Sequence, residues 1–126
     1  MSIYDRFGFK NNTTVSVVYT NGVLRRGRVE VIEKFGENQS ITIDSLNPVY
    51  VGRQAKKCNL VISSMDISRV HCVIEFDDGK RAFIVTDCST NGTFFNGSKL
   101  PKNIAVIFNS GTVLSLANDK HKIKLI

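Results

Sequence analysis

Sulfur and imidazole chemistry are scarce in this chain. Three cysteines occur in 126 residues, Cys58, Cys72 and Cys88. Their odd number and the absence of any Cys-x-x-Cys spacing argue against a disulfide framework and against a zinc site. There are two histidines, no His-Glu-x-x-His, no Gly-x-x-x-x-Gly-Lys-Ser/Thr, and no paired carboxylates at loop ends. An enzyme would need a general base, a metal cluster or an activated nucleophile, and none is visible, so no catalytic residue, metal ligand or cofactor is assigned. No His-Arg-Asp or Asp-Phe-Gly marks a kinase domain. No apolar run approaches the roughly 20 residues of a membrane span. The start, Met1-Ser2-Ile3-Tyr4-Asp5-Arg6, has no secretory h-region, so an intracellular chain, cytoplasmic or nuclear, is expected.

What is present is a basic chain with an apolar fraction large enough for one core. The net charge is +6 and 42% of residues are hydrophobic, which favours anionic partners and a single domain of ordinary size. The basic residues are scattered and aromatics do not interleave with them, so a single-strand nucleic-acid platform is not favoured. Period-2 patterns dominate and no convincing helical period appears. Val15 to Thr20 and Val23 to Glu33 flank Asn21-Gly22, a two-residue hairpin signal. Further short strands are read at Ser40–Ile43, Val49–Val51, Asn59–Ile62, Cys72–Phe76 and Arg81–Asp87. Thr93–Phe95 and Ser98–Leu100 flank a second such signal, Asn96-Gly97. Thr112–Ala117 and His121–Ile126 close the chain around Asn118-Asp119-Lys120. About ten to eleven short strands predict an all-β sandwich of two antiparallel or mixed sheets. Lys102 to Asn109 is the one segment where a turn of helix is expected.

Four polar signals follow one another between Val51 and Gly97. They are Gly52-Arg53, Ser68-Arg69-Val70-His71, Ser89-Thr90-Asn91-Gly92-Thr93 and Asn96-Gly97. Each lies at the end of a short apolar run, which places it in a loop at a strand end. A basic fork, small hydroxyls and an amide converging from separate loops suit a phosphorylated side chain on an extended peptide. A guanidinium presents five donors in a rigid fork that matches phosphate oxygens. Gly52 before Arg53 is expected to let the backbone turn without a Cβ clash.

This order and spacing resemble the forkhead-associated (FHA) domain, a phosphothreonine-binding module. The run Asp87-Cys-Ser-Thr-Asn-Gly-Thr and the approach strand Arg26-Gly-Arg-Val-Glu look more like FHA domains of eukaryotic checkpoint kinases than bacterial ones. The resemblance covers residues 28–126 as a β-sandwich with ligand loops at one end. It leaves 1–27 as an N-terminal extension with an extra edge strand. It implies that Arg53, Ser68 and Thr90 bind phosphate and that Asn91 grips the peptide main chain. It implies that His71 braces the site, with Gly92, Asn96 and Gly97 as scaffold beside Gly52. Arg69 is either a second cation near the phosphate or a solvated charge. Asp66 either reads the peptide residue three after the phosphothreonine or is a solvated loop acid. Asp87 is expected to hold the loop as an acceptor. Cys72 shares strand parity with Ile74 and Phe76 and is expected in the core, with Cys58 exposed. The implied partner is a threonine-phosphorylated protein. An FHA-like domain without phosphate dependence would be expected to lack Arg53, Ser68 or Asn91, and all three are present.

Overall fold

Alternation of buried and exposed residues builds the molecule. The computed structural model describes residues 25–33 and 38–126. Eleven strands form along them: β1 Arg26–Ile32, β2 Gln39–Asp44, β3 Val49–Gly52, β4 Leu60–Val61, β5 Cys72–Asp77, β6 Ala82–Asp87, β7 Thr93–Phe95, β8 Ser98–Lys99, β9 Ala105–Asn109, β10 Val113–Leu116 and β11 Lys122–Leu125. They make a six-stranded sheet in the order β2-β1-β11-β10-β7-β8 and a five-stranded sheet in the order β4-β3-β5-β6-β9. All pairings are antiparallel except β3 with β4. The all-β sandwich expected from the sequence is therefore found.

The two sheets meet on their apolar faces. Val29, Val31, Ile43, Leu114, Leu116, Ile123 and Leu125 come from the larger sheet, and Val49, Val51, Ile74, Phe76, Phe83, Val85 and Phe108 from the smaller. Cys72 is fully buried among them, as its parity with Ile74 and Phe76 predicts. Truncating one of these large side chains to alanine should cost about 2–5 kcal/mol. Phe76 and Phe83 pack with centroids 5.2 Å apart in a tilted pair, a preferred aromatic geometry.

Two expectations are revised or left aside. Residues 105–109 are not helical: they form β9, laid antiparallel on β6 from Ala82↔Asn109 to Thr86↔Ala105. The run Ala-Val-Ile-Phe-Asn contains β-branched and aromatic residues that favour a pleated surface, and no helix forms among the described residues. The hairpin expected at Asn21-Gly22 lies outside the described residues on its first arm. On its second arm, Arg28 to Val31 is already bonded on both sides, by β2 and by the last residues of the chain.

The connection from β7 to β8 is the two-residue hairpin the sequence announces. Phe95 pairs with Ser98, and Asn96 and Gly97 have φ of 49° and 80°. Positive φ at both central positions is the condition for a type I′ turn, which Asn-Gly meets with least strain. Because strands alternate in direction, the ends of β3, β6 and β10 gather with the starts of β5, β7 and β11. That end of the sandwich carries every polar signal but the Asn96-Gly97 hairpin.

Candidate functional site

Arg53 leaves the end of β3 and is held by the segment between β4 and β5. Its N–H donates to the Ser68 carbonyl at 2.9 Å, and Gln54 N–H donates to the Arg69 carbonyl at 3.1 Å. The guanidinium Nε–H donates to the Ile67 carbonyl at 2.9 Å. That bond fixes the plane of the fork and uses neither terminal nitrogen. Among the described residues no carboxylate pairs with Arg53. Beside it lies a cleft of about 250 Å³ lined by Ser63, Ser64 and Met65, with Met65 84% exposed.

Gly52 is required for a different reason from the one expected. Its φ is not in the left-handed region. A Cβ there would sit 2.3 Å from the Arg69 carbonyl oxygen and 2.9 Å from Cys58 Sγ. Glycine thus lets β3 approach the Ser68 loop closely enough to set Arg53 beside Ser68. Cys58 is half-buried and not exposed: its Sγ–H donates to the same Arg69 carbonyl at 3.0 Å.

Ser68 and His71 form the next layer. Ser68 N–H donates to His71 Nδ1 at 3.2 Å, and His71 Nε2 lies 2.8 Å from the Gly92 carbonyl. A carbonyl only accepts and an amide N–H only donates, so the ring is neutral with its proton on Nε2. Burial holds the His71 pKa below the ordinary imidazole range and neighbouring His121 acts the same way, against opposing pulls from the Gly92 carbonyl and Asp87. His71 is fully buried, a brace and not a ligand-facing group. Ser68 Oγ accepts the Thr90 N–H at 3.0 Å, which leaves the hydroxyl proton free to donate outward.

The loop between β6 and β7 is shaped from within by Asp87. Its Oδ1 accepts Ser89 Oγ–H at 2.6 Å, Thr93 Oγ1–H at 2.8 Å and Ser89 N–H at 3.2 Å. Ser89 Oγ in turn accepts Gly92 N–H at 2.7 Å. Asp87 is fully buried and holds the loop, as the sequence suggests. Gly92 takes the left-handed conformation, φ 99°. This scaffold presents Thr90 and Asn91 at the exposed rim.

Asn91 and Asp66 are brought together. Asn91 Nδ2–H donates to the Asp66 carbonyl at 2.9 Å, leaving its amide oxygen free. The Asp66 carboxylate accepts Asn118 Nδ2–H at 3.1 Å, so one of its oxygens is already engaged. The sequence marks Asn118 only as part of a turn, which it also makes: its Oδ1 accepts Lys120 N–H at 2.9 Å. Ser89 was likewise read as a turn former; its buried anchoring role needs Asp87 and Thr93 to be seen. Arg69 projects into solvent and contributes its carbonyl. Asn96 and Gly97 stand in the neighbouring hairpin and bear no ligand-facing group.

The buried Cys72 thiol is pushed up by desolvation, and Cys58 and Cys88 are shifted the same way. None is favoured as a thiolate nucleophile. Among the described residues no group of His, Cys, Asp and Glu is placed to hold a metal, and no helix is long and apolar enough to cross a membrane.

Comparison with known proteins places the fold in a family. The family model of the FHA domain matches residues 49–117. The meiosis-specific serine/threonine-protein kinase MEK1 of Saccharomyces cerevisiae is 37% identical over 101 residues, 73% of this chain and 20% of the kinase. The DNA damage response protein kinase DUN1 of the same yeast is 32% identical over 85 residues, 63% of this chain and 16% of the kinase. The chain therefore spans a fifth or less of the length of these curated relatives. Among solved structures, the crystal structure of the MEK1 FHA domain superposes with a TM-score of 0.68 at 33% identity, covering 79% of this chain and 88% of that one. The same domain in complex with a threonine-phosphorylated HOP1 peptide gives 0.64 at 31% identity, covering 78% and 94%.

Proposed function

The chain belongs to the FHA domain family, and we propose that it binds phosphothreonine in an extended segment of a partner protein. The observation that carries this is the unspent donor set on one rim. Arg53 is anchored through Nε while its terminal nitrogens stay available, and Ser68 Oγ is anchored as an acceptor while its proton stays available. Arg53 takes the phosphate bidentately, with Ser68 and the Thr90 hydroxyl donating to its remaining oxygens. Asn91 uses its free amide oxygen on a peptide N–H. Arg69 supplies a second, longer-range cation. Asp66, with one free carboxylate oxygen, biases the third residue after the phosphothreonine toward Lys or Arg.

The domain acts by recognition and transfers no group. It works inside the cell, in signalling or assembly that a kinase switches on. The phosphate brings about −1.5 to −2 charges and three acceptor oxygens, so binding should depend on it. Calorimetry with a peptide in phosphorylated and unphosphorylated forms tests the proposal, together with Arg53→Ala. Affinity should be confined to the phosphorylated form, and Arg53→Ala should cost about 2–5 kcal/mol of it with thermal stability kept. Equal affinity for both forms, or normal binding by Arg53→Ala, refutes the assignment.

A further inference from the structure

The opposite end of the sandwich holds a second concentration of guanidinium groups. The start of β1, the end of β11, the start of β6 and the end of β9 meet there. They surround a cleft of about 330 Å³ lined by Arg26, Gly27, Arg28, Thr42, Arg81, Ser110 and Ile126. Among the described residues no carboxylate side chain lines it. Arg26 and Arg28 point outward because Gly27 between them faces in, where a Cβ would lie 2.8 Å from the Phe83 ring. The nearby acids are weakly placed or already used. Glu30 lies 3.9 Å from Arg28 and Asp78 4.0 Å from Arg25, both at the edge of pairing distance, and Asp44, opposite Arg26 in register, accepts Leu46 and Asn47 N–H groups through Oδ1.

Arg81 carries the argument further. Its φ is 50°, a left-handed conformation that glycine or asparagine adopts with less strain. Strained residues persist where the surroundings or a function require them. Arg81 closes the turn between β5 and β6 and adds a third arginine to the cleft lining. The patch also runs beyond the cleft. On the outer face of the six-stranded sheet, among the described residues, the register aligns Arg26, Arg28, Lys124, Lys122 and Lys99 with two acids, Glu30 and Asp44.

We propose that this cleft is a second anion site, which takes an acidic segment of a protein through its carboxylates or a phosphorylated side chain. Guanidinium forks match both oxyanions, and the Thr42 and Ser110 hydroxyls add neutral donors. A protein segment fits better than nucleic acid. Among the described residues no aromatic lines the cleft for base stacking, and no helix stands beside it to enter a groove. The site does not depend on the phosphothreonine reading of the other end.

The test is amide chemical-shift mapping by NMR on the full chain. The probes are inorganic phosphate, a six-residue glutamate peptide, the same peptide with one phosphoserine, and a DNA oligonucleotide of matched charge. Saturable shifts at Gly27, Arg28, Thr42 and Ser110 with either peptide are expected, unchanged in Arg53→Ala. Arg28→Gln with Arg81→Asn should weaken peptide binding at least about tenfold, because each lost charge-assisted bond is worth a comparable factor. Asparagine tolerates the left-handed conformation, so the fold should survive. A stronger response to phosphoserine supports phosphate as the ligand, and an equal response supports carboxylate. Shifts confined to residues 53–71 and 88–93, unsaturable shifts, unchanged affinity in the double variant, or tighter DNA binding at the same amides would each overturn the proposal.

Discussion

Replacing His71 with alanine separates the brace from the ligand contacts. The imidazole accepts Ser68 N–H and donates to the Gly92 carbonyl, and it has no solvent exposure. Truncation leaves the Ser68 amide without its partner. The Gly92 carbonyl keeps one donor, Ala117 N–H at 2.8 Å. An unsatisfied buried donor costs about 1–3 kcal/mol. The void left by the ring adds on the order of 1–2 kcal/mol if the loops do not collapse into it. The predicted loss is therefore about 2–5 kcal/mol, or roughly 8–20 °C in Tm at about 4 °C per kcal/mol for a domain of this size. Peptide affinity should fall as well, because Ser68 loses the anchor that sets its backbone. Thermal unfolding by circular dichroism and calorimetry on a phosphopeptide measure the two effects. A Tm within roughly 2 °C of the parent, equivalent to under about 0.5 kcal/mol, would refute the brace.

The same residue gives a pH dependence of definite sign. Protonation at Nδ1 would destroy its acceptor role toward Ser68. Burial holds the folded-state pKa of His71 below its unfolded value of about 6.5. Between the two values the unfolded chain binds a proton that the folded chain refuses. Stability is therefore fully present above about pH 6.5 and is lost as pH falls toward the folded pKa. Tm measured from pH 8 to 5 should drop more steeply in the parent than in His71→Gln. Parallel curves would show that this ring does not titrate against folding.

Three further outcomes follow from the rim. Phosphothreonine should be preferred to phosphoserine by on the order of 1–3 kcal/mol, the worth of one methyl in a fitted notch; parallel titrations decide it, and a phosphoserine preference contradicts the pocket. Gly52→Ala should cost about 1–3 kcal/mol of stability by overpacking and should also weaken peptide binding, since its Cβ would meet the Arg69 carbonyl at 2.3 Å; unchanged Tm would show that β3 can retreat freely. Asn118→Ala should free the Asp66 carboxylate and sharpen a preference for Lys or Arg three residues after the phosphothreonine, whereas Asp66→Lys should reverse it. Exposed ion pairs are worth only about 0–1 kcal/mol, so an oriented phosphopeptide library at low salt is the suitable measurement, and an unaltered third position in both variants would leave Asp66 without a reading role.

The sequence shows local features of this fold well and non-local ones poorly. Asn96-Gly97 was legible because its turn needs positive φ at two adjacent residues, a condition met inside the motif itself. The strands of the core were legible by parity, Cys72 with Ile74 and Phe76 being one case. β9 was not, because Val106 and Phe108 bury only by lying on β6, and the run between Ile104 and Phe108 is apolar on both faces. The reason for Gly52 was hidden for the same kind of cause: the atom that forbids a side chain there belongs to Arg69. Asn118 and Asp66 lie 52 residues apart in sequence, and no local pattern links them.

The bonds at the ligand end form a closed circuit, and this explains how short loops hold a defined rim. Ser68 N–H rests on His71, His71 on the Gly92 carbonyl, and that carbonyl also receives Ala117 N–H. Thr90 N–H returns to Ser68 Oγ. Asn91 and Asn118, from two different loops, both grip Asp66. Each link but the one between Asn118 and the Asp66 carboxylate uses a backbone group. The outer atoms remain: the terminal nitrogens of Arg53, the Ser68 hydroxyl proton, the Thr90 hydroxyl and the Asn91 amide oxygen. Ordering a flexible side chain at an interface costs about 0.5–1.5 kcal/mol; in the proposed binding that cost is reduced, because Ile67 already holds Arg53 and the circuit holds Ser68 and Asn91. Affinity should therefore respond to variants that open the circuit, such as Gly52→Ala and His71→Ala, even though neither residue offers a group to the ligand.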